Sequence, residues 1–334
     1  MATILRGYGW ECGQLMVPSS DKYRSSDDNG ISTVHKTGTY GLDFVDYNGG
    51  YLRFPVSGSP SDPSVSIWIH PDGMYIRDNS FQLRWLLTTG QYIELRWKLT
   101  THTFDAYVNN ALVASGTVEV TSSDWFHVQF YVVIADAGSI GVKINGHQSI
   151  DYSGDTQPGI AAGASYFYLA NSHNQSTHRY VDDMVLGYGG YLGDLRCPDI
   201  RPNADTAVDD WTPSAGDNYA TVDESSTTAA TIDADYNKAG IDGDEDELAL
   251  GDFDGATYVP VAVTAWCRAQ QLAANGDSIK IGIDSAGTEA ETTWPLSNTM
   301  EYYFHTSDDN PADAAEWEDA DIDALLVRYE AVIV

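Results

Sequence analysis

The sequence predicts an all-β protein built from two consecutive β-sandwich domains, the second of them strongly acidic. Through the first 190 residues, short segments with apolar residues at every second position recur at regular spacing, and no segment there has the 3.6-residue period of a helix. Hydrophobic residues make up 43% of the 334 residues, and there are 21 tyrosines and 9 tryptophans. This composition is typical of a folded, strand-rich chain.

The clearest strand signal lies at 92–99, where Ile93, Leu95 and Trp97 alternate with polar neighbours, so that one face is buried and one is wet. Asn145-Gly146 predicts a type I′ hairpin, because both residues tolerate a positive φ. Further strands of the first domain are predicted at 64–70, 81–88, 104–108, 112–120, 126–134, 140–144 and 147–151. Two antiparallel sheets packed face to face are the natural architecture for such a set.

Three segments follow from these patterns: a sandwich at 1–195, a linker at 196–216 and an acidic β-domain at 217–334. The linker is predicted because Pro198, Pro202 and Pro213 coincide with the loss of apolar periodicity. Strands of the second domain are predicted near 219–223, 247–253, 258–268, 278–284, 300–305 and 327–334. One or two helical turns are predicted at 317–326, where acidic residues at the N-terminal end suit the helix dipole.

The net charge of −32 is unevenly distributed. Residues 1–190 hold 18 acidic and 11 basic residues, whereas residues 191–334 hold 31 acidic and 6 basic residues. Such a surface repels nucleic-acid phosphates and anionic lipids, which excludes both as expected partners. Two explanations stay open: an acidic surface that maintains solubility, or adaptation to a halophilic host.

The halophilic interpretation makes a prediction about salt. Molar salt shortens the screening length to about 3 Å, which weakens the repulsion between carboxylates that folding brings together. We therefore expect a 197–334 fragment to melt several degrees higher in molar salt than in dilute buffer, and a 1–195 fragment to shift less. Calorimetry of the two fragments measures this, and an equal salt dependence would refute the halophilic interpretation.

The opening residues MATILRGYGW lack the basic region and long apolar core of a signal peptide, and no run reaches the ~18 apolar residues of a membrane span. We therefore expect synthesis in a host cytoplasm and no membrane partner. Cys12, Cys197 and Cys267 have no short spacing between them, so separate thiols are expected rather than a disulfide framework or a zinc site.

The search for catalytic patterns leads to the expectation that the protein is not an enzyme. No Glu-x-Asp-x-x-Glu run of paired carboxylates occurs, and Glu94 stands alone on its strand. The acidic run at 242–247 lacks the order of an EF-hand loop and is interpreted as a solvated turn rather than a calcium site. His173 and His178 lie in a polar loop without a third ligand, so a plain surface loop is favoured over a metal site.

Four tyrosines near Gly-rich turns are the candidate ligand-binding residues: Tyr166, Tyr168, Tyr188 and Tyr191. Aromatic rings stack on sugar rings, so these residues are candidates for carbohydrate binding. Tyrosine is also enriched at protein interfaces, which makes subunit contacts a second interpretation. A third interpretation is that half of these tyrosines are core residues at alternating positions of strands.

One motif combination resembles a known group of proteins. The strand signal WFHVQF at 125–130 leads to the VKINGH hairpin at 142–147, and the run YVDDMVLGYGGYLGDLR follows at 180–196. This order, over roughly residues 1–200, resembles the concanavalin A/laminin-G-like jelly-roll sandwiches in surface proteins of tailed viruses. Two short segments, 202–205 and 317–322, resemble the C-terminal half of the same viral proteins, and this second resemblance is weaker than the first.

The resemblance implies a non-enzymatic structural protein on the surface of a tailed virus particle, as a tail-fibre, baseplate or capsid turret or decoration component. It also implies a symmetric homo-oligomer in contact with other virion proteins and with host surface glycans or glycoproteins. Calcium beside Asp182 and Asp183 is implied in the same way, against the alternative that no metal is bound there. The competing hypothesis is a cellular carbohydrate-binding lectin module, which would need a secretion route.

Overall fold

The chain forms two compact units in the computed structural model, Met1–Pro198 and Asp199–Val334. The structure describes residues 3–8, 22–23, 30–32, 35–36, 41–43, 51–56, 58–70, 78–79, 81–120, 124–157, 163–170, 180–198, 200–222, 235–253, 255, 259–273 and 275–334. Among these residues, no helix is both long and apolar enough to cross a membrane.

The first unit consists of antiparallel strands. In chain order they are β1 (Thr3–Tyr8), β2 (Lys22–Tyr23), β3 (Gly30–Ser32), β4 (Gly41–Asp43), β5 (Tyr51–Pro55), β6 (Pro63–His70), β7 (Gln82–Leu87), β8 (Tyr92–Lys98), β9 (Thr103–Val108), β10 (Ala111–Ser115), β11 (Phe126–Val133), β12 (Gly138–Ile144), β13 (His147–Gly154), β14 (Ala164–Ala170) and β15 (Tyr180–Tyr188). These bounds confirm the strands that alternation predicts between residues 64 and 151, except that the strand predicted at 112–120 ends at Ser115.

Two sheets make up this unit. The eight-stranded sheet has the order β13-β12-β11-β6-β15-β4-β3, with β1 paired to β15, and the seven-stranded sheet has the order β10-β9-β8-β7-β14-β5-β2. Their facing sides share one apolar core, in which Trp85 of the seven-stranded sheet contacts Phe130 of the eight-stranded sheet. The unit is therefore a concanavalin-like jelly-roll β-sandwich.

Tight hairpins determine the register of these strands. Asn145 and Gly146, between β12 and β13, have φ values of 49° and 81°, and Asn109 and Asn110, between β9 and β10, have 46° and 72°. Two successive positive φ values are the mark of a type I′ turn, whose twist matches that of the flanking strands. The predicted Asn-Gly hairpin is confirmed.

The second unit is a smaller β-sandwich, and its described residues include a short helix. Its elements are β16 (Pro202–Asp209), β17 (Thr212–Pro213), β18 (Asn237–Lys238), β19 (Glu245–Leu250), β20 (Val263–Ala269), β21 (Ser278–Ser285), β22 (Thr288–Pro295), β23 (Glu301–Ser307), α1 (Asp319–Asp323) and β24 (Leu326–Val332). A five-stranded sheet, β16-β19-β24-β21-β22, shares an apolar core with the β20-β23 pair. Over the described residues, the fold is thus all-β apart from a short 3₁₀ turn and α1, which lies within the predicted helical turns.

The structure differs from the sequence expectation at the start of this unit. Residues 202–209, predicted as linker, form β16, which pairs with β19. The segment Tyr219–Thr221, predicted as a strand, is a 3₁₀ turn, because the carboxylate of Asp205 accepts hydrogen bonds from the backbone N–H groups of Asn218 and Tyr219. β16 was missed because its apolar residues are few and small.

In the five-stranded sheet, the buried side chain of Arg328 forms ion pairs with several glutamates. The Arg328 side chain is only 4% exposed, and its Nη1 lies 3.0 Å from Glu291 Oε2. It also forms ion pairs with Glu245 and Glu289. Gly282 lies between Arg328 and Glu291 in the strand register, so no side chain separates the two.

The acidic run at 242–247 is a turn only in its first half, because its second half belongs to β19. Asp246 is fully buried and accepts hydrogen bonds from the Trp211 backbone N–H, the Asn218 amide and the Tyr329 hydroxyl at 2.7–2.8 Å. Burial raises the pKa of Asp246. Its neighbour Glu245 binds Arg328 instead, since successive side chains of a strand point to opposite faces.

Candidate functional site

The outer face of the seven-stranded sheet carries an unusual density of charged and aromatic side chains. The core face of this sheet is apolar, as period-2 alternation requires. We call the opposite side the polar face; its members include Tyr51, Arg53, Gln82, Arg84, Tyr92, Glu94, Arg96, Lys98, Asp105, Tyr107, Tyr166 and Tyr168. They come from five adjacent strands, β9, β8, β7, β14 and β5.

Strand register aligns five of these residues in one row across the sheet. Tyr107 pairs with Glu94, Glu94 with Arg84, Arg84 with Tyr168, and Tyr168 with Arg53. Directly paired residues on one face of a sheet have Cβ atoms about 4.5–5.5 Å apart. The row is therefore a continuous strip of side chains, which we call the cross-strand row.

Glu94 is the electrostatic centre of the polar face. It is completely buried, and its carboxylate accepts hydrogen bonds from Arg84 Nε at 2.9 Å and from Arg96 Nε at 2.7 Å. Arg84 also donates to Gln82 Oε1 at 3.1 Å, and Arg96 donates to Asn110 Oδ1 at 2.6 Å. One carboxylate thus orients two guanidinium groups, which leaves a surplus of positive charge.

Each arginine of the polar face also lies against a tyrosine ring. The guanidinium carbon is 4.5 Å from the ring centroid for Arg84 and Tyr92 and 4.1 Å for Arg96 and Tyr107. The same distance is 4.5 Å for Arg53 over Tyr166. Guanidinium stacking on aromatic rings is favourable and restricts both planes. The face is therefore preorganised rather than a set of independently mobile side chains.

Tyr168 lies inside this arrangement and is 7% exposed. Its ring centroid is 4.8 Å from that of Tyr51 and 6.2 Å from that of Tyr166. Burial raises the pKa of the Tyr168 hydroxyl, and a hydrogen bond from Arg53 opposes that rise. The hydroxyl therefore stays protonated at neutral pH and can donate a hydrogen bond.

A second row borders the first. Asp105 pairs with Arg96 in the register and Arg96 with Gln82. Lys98 Nζ lies 3.4 Å from Asp105 Oδ2. Asp105 Oδ1 is buried and has no hydrogen-bond partner among the described residues. Chemically, the two rows offer guanidinium and ammonium donors, amide and carboxylate acceptors, and aromatic ring faces.

The structure separates the four tyrosines predicted as binding residues. Tyr166 and Tyr168 belong to the polar face, whereas Tyr188 ends β15 in the eight-stranded sheet. Tyr191 packs over that sheet, with its ring 5.7 Å from Tyr131. The four tyrosines therefore form two groups on different sheets. Ligand binding by these tyrosines stays a prediction.

Asp182 and Asp183 are both fully buried at a β-bulge in β15, where Asp183 has a φ of 45°. Asp182 accepts hydrogen bonds from the backbone N–H groups of Lys36 and Asp183, and Asp183 accepts one from Cys197, each at 2.8 Å. Calcium takes six to eight oxygen ligands, so these two carboxylates alone would not complete a calcium site.

Across the described ranges, no three His, Cys, Asp or Glu side chains are grouped to hold a metal ion. Calcium at Asp182 and Asp183 stays a prediction. His173 and His178 lie outside the described residues.

Ser66 and His127 form a hydrogen-bonded pair on the eight-stranded sheet. Ser66 Oγ lies 2.7 Å from His127 Nε2, a distance suited to a nucleophile and its base. However, Ser66 Oγ donates to the Gly193 carbonyl at 2.9 Å, so it must accept from His127 Nε2–H. Both residues are buried, and Gly193 N–H donates to Gln129. The pair therefore anchors the segment after β15 and is not a nucleophilic dyad.

This burial predicts a pH dependence of stability. Burial lowers the pKa of His127 to about 4 from its ordinary value of 6.5. Between pH 6.5 and 4 the unfolded chain binds a proton that the folded chain does not, so stability falls as pH drops through this window. The loss reaches about 3 kcal/mol at ~1.4 kcal/mol per pKa unit.

Urea unfolding of the full chain at pH 7 and pH 4.5 measures this loss. The variant His127→Gln should lose less stability than the wild type over the same interval. The matched control His147→Gln changes an exposed histidine and should behave as wild type. If His127→Gln and wild type lose stability equally, His127 is not the group responsible.

Sequence reasoning missed most of the polar face. The alternation at 92–99 predicts Glu94 and Arg96 on the wet side of their strand, which is correct for their orientation, but Arg53 and Arg84 were not identified. A weak signal was present, since β7, β8 and β9 all place charged residues on this side. Recognising a site required the register that aligns these strands.

No protein-family model matches the chain, and no curated protein matches it. Solved structures are similar in fold. Domain 4 of AbnA, a GH43 extracellular arabinanase from Geobacillus stearothermophilus, solved with arabinotriose, is 17% identical, with 57% of this chain and 95% of that chain covered and a TM-score of 0.41.

The cellulose-induced protein Cip1 is 12% identical, with 58% and 99% covered and a TM-score of 0.42. The conserved carbohydrate esterase vb_24B_21 from the Shiga toxin-encoding bacteriophage phi24B is 10% identical, with 57% and 100% covered and a TM-score of 0.41. Identities this low concern the fold alone.

These findings contradict the prediction that the chain is not an enzyme. The structures of similar fold are mostly carbohydrate-active enzymes, among them alginate lyases and a glucuronan lyase as well as the arabinanase and the esterase. The prediction relied on the absence of paired carboxylates along one strand. A sandwich assembles side chains across neighbouring strands, as the polar face shows, so a missing linear motif excludes no activity. The structural neighbours of this chain are carbohydrate-binding or carbohydrate-active β-sandwich proteins.

Proposed function

We propose that the protein binds carbohydrate on the polar face of its first unit. The observation that carries this proposal is the cross-strand row, in which Arg84 and Arg53 flank the ring of Tyr168 and Glu94 orients Arg84. Sugars present hydroxyl groups for bidentate hydrogen bonds and apolar ring faces for aromatic contact. The polar face supplies both kinds of partner on a rigid surface made of strands.

Packing alone does not explain this arrangement. Burying Glu94 and two partly buried arginines on the solvent side of a sheet has a desolvation cost that apolar residues of similar volume would avoid. Proteins retain such costs chiefly at functional sites. The stacking of three arginines on tyrosines also holds their planes in position for a ligand, as preorganised recognition requires.

A glycan array probed with the full chain tests the proposal, followed by titration of the best polymer. Tyr166→Ala removes a half-buried ring of the polar face and should weaken binding at least tenfold. The control Tyr131→Ala removes a half-buried ring from the other sheet and should leave binding unchanged. Loss of binding in Tyr131→Ala but not in Tyr166→Ala would place the binding site on the eight-stranded sheet and would refute the proposal.

We further propose that the protein is displayed on the surface of a tailed virus particle as a symmetric homo-oligomer. The support is the motif order that ends in the run at 180–196, together with the gain in avidity that many weak glycan sites on one particle would give. Other virion proteins would then be its partners, and host surface glycans its target.

Co-purification with particles and light scattering of the isolated protein test this location. The expected result is a particle-bound protein that forms oligomers in solution. A strictly monomeric protein absent from particles would refute the viral location and favour the cellular lectin. Carbohydrate binding would survive that result, because it rests on different residues.

A further inference from the structure

The described charges of the polar face are mainly positive, although the chain as a whole carries −32. Four cationic side chains, those of Arg53, Arg84, Arg96 and Lys98, accompany two carboxylates, those of Glu94 and Asp105. In a chain with nearly three acidic residues for every basic one, a local surplus of cations is a distinct feature. It makes this face attractive to an anion that the rest of the protein repels.

The geometry leaves ligand-binding atoms available on two of these cations. Arg84 and Arg96 both use Nε and Nη2 in their bonds to Glu94, Gln82 and Asn110. Within the described part of the chain, neither Nη1 donates to a protein acceptor. The side chains are 27% and 18% exposed, so solvent reaches both.

The contacts with tyrosine rings restrict the ligands that Arg84 and Arg96 can bind. Because Tyr92 and Tyr107 restrict the guanidinium planes, the N–H groups point in fixed directions rather than sampling many. Arginine presents a planar fork of donors that matches carboxylate and sulfate oxygens, and such charge-assisted bonds are about twice as strong as neutral ones. A neutral sugar needs only neutral donors and acceptors.

We infer that the ligand of the polar face is an anionic polysaccharide, one whose sugar units carry carboxylate or sulfate groups. This inference rests on the proposed function and specifies its ligand class. The anionic groups would contact the arginines and Lys98, and the sugar rings would lie against Tyr166 and its neighbours. The four cations are distributed over β8, β7 and β5, with β14 between β7 and β5, and this extended array suits a chain of repeated charges better than a single one.

Two pairs of polymers, each matched except for charge, test the inference by titration with the full chain. Polygalacturonate is compared with its fully methyl-esterified form, and dextran sulfate with dextran. Binding to at least one charged polymer should be tenfold or more tighter than to its neutral partner, and should weaken when salt rises from 0.05 to 0.5 M. The two charged arms distinguish carboxylate from sulfate.

Variants connect the effect to the polar face. Arg53→Gln and Lys98→Gln should each weaken binding of the preferred charged polymer by about tenfold. The matched control is Lys143→Gln, because Lys143 lies 4.2 Å from the Tyr191 ring on the other sheet. It should bind as wild type. Equal losses in all three variants would overturn the inference, because the attraction would then be general.

The outcomes separate this inference from the proposed function. Equal binding of a charged polymer and its neutral partner, lost in Tyr166→Ala, overturns the anionic class but supports carbohydrate binding on this face. Failure to bind any glycan overturns the proposed function itself. Duplex DNA bound as tightly as the preferred polysaccharide overturns the inference as well, since the face would then recognise charge without sugar.

Discussion

Replacing Glu94 by glutamine is expected to lower the free energy of unfolding of the first unit by about 3 kcal/mol. The change keeps the side-chain volume but removes the carboxylate that is bonded to both Arg84 and Arg96. Two guanidinium groups, 27% and 18% exposed, would then lose their shared counter-charge. Urea unfolding of the full chain measures the loss, and glycan binding should weaken with it because both arginines lose their orientation.

Two further variants test whether the buried ionic group causes this loss. Glu119→Gln removes a carboxylate that is 56% exposed and lies 3.4 Å from His102, and it should cost less than about 0.5 kcal/mol. The triple change Arg84→Met, Glu94→Leu and Arg96→Met removes the whole ionic group and should recover most of the stability without recovering binding. A stable Glu94→Gln variant, or a triple variant that still binds, would contradict this account.

Replacing Arg328 by leucine should destabilise the second unit by about 3–5 kcal/mol. Its side chain is 4% exposed and contacts Glu245, Glu289 and Glu291, which would be left to repel one another. Denaturant unfolding of the full chain measures the effect.

The matched control is Lys280→Leu. Lys280 binds Glu291 and Glu330 in the same sheet, but its side chain is 28% exposed. Water screens this pair, so the control should cost about 1 kcal/mol or less. Equal losses in the two variants would mean that burial does not set the strength of these ion pairs.

Much of the first unit could be predicted because its strands obey one simple rule. Ile93, Leu95 and Trp97 alternate with polar neighbours, and Asn145-Gly146 allows essentially one kind of turn. Local information of this sort determines where strands lie and which side of each is buried. It does not determine which strands become neighbours.

The candidate site depended on that missing information. Arg84 and Glu94 belong to the consecutive strands β7 and β8, but nothing in the sequence indicates that Tyr168 lies beside Arg84, because that pairing joins strands that are distant in the chain. β16 escaped prediction for another reason: its residues are small or acidic, and its place comes from pairing with β19 rather than from its own composition. Tertiary context overrode weak local preference in both places.

The cross-strand row makes ligand binding a property of the whole sandwich. Its members lie on five strands and are spread over residues 53–168 of the chain, so no short peptide cut from this chain can reproduce the surface. Proteolytic trimming within the first unit should abolish recognition all at once rather than gradually. Retained affinity would consequently serve as a sensitive assay of correct folding in engineered or recombined versions of this protein.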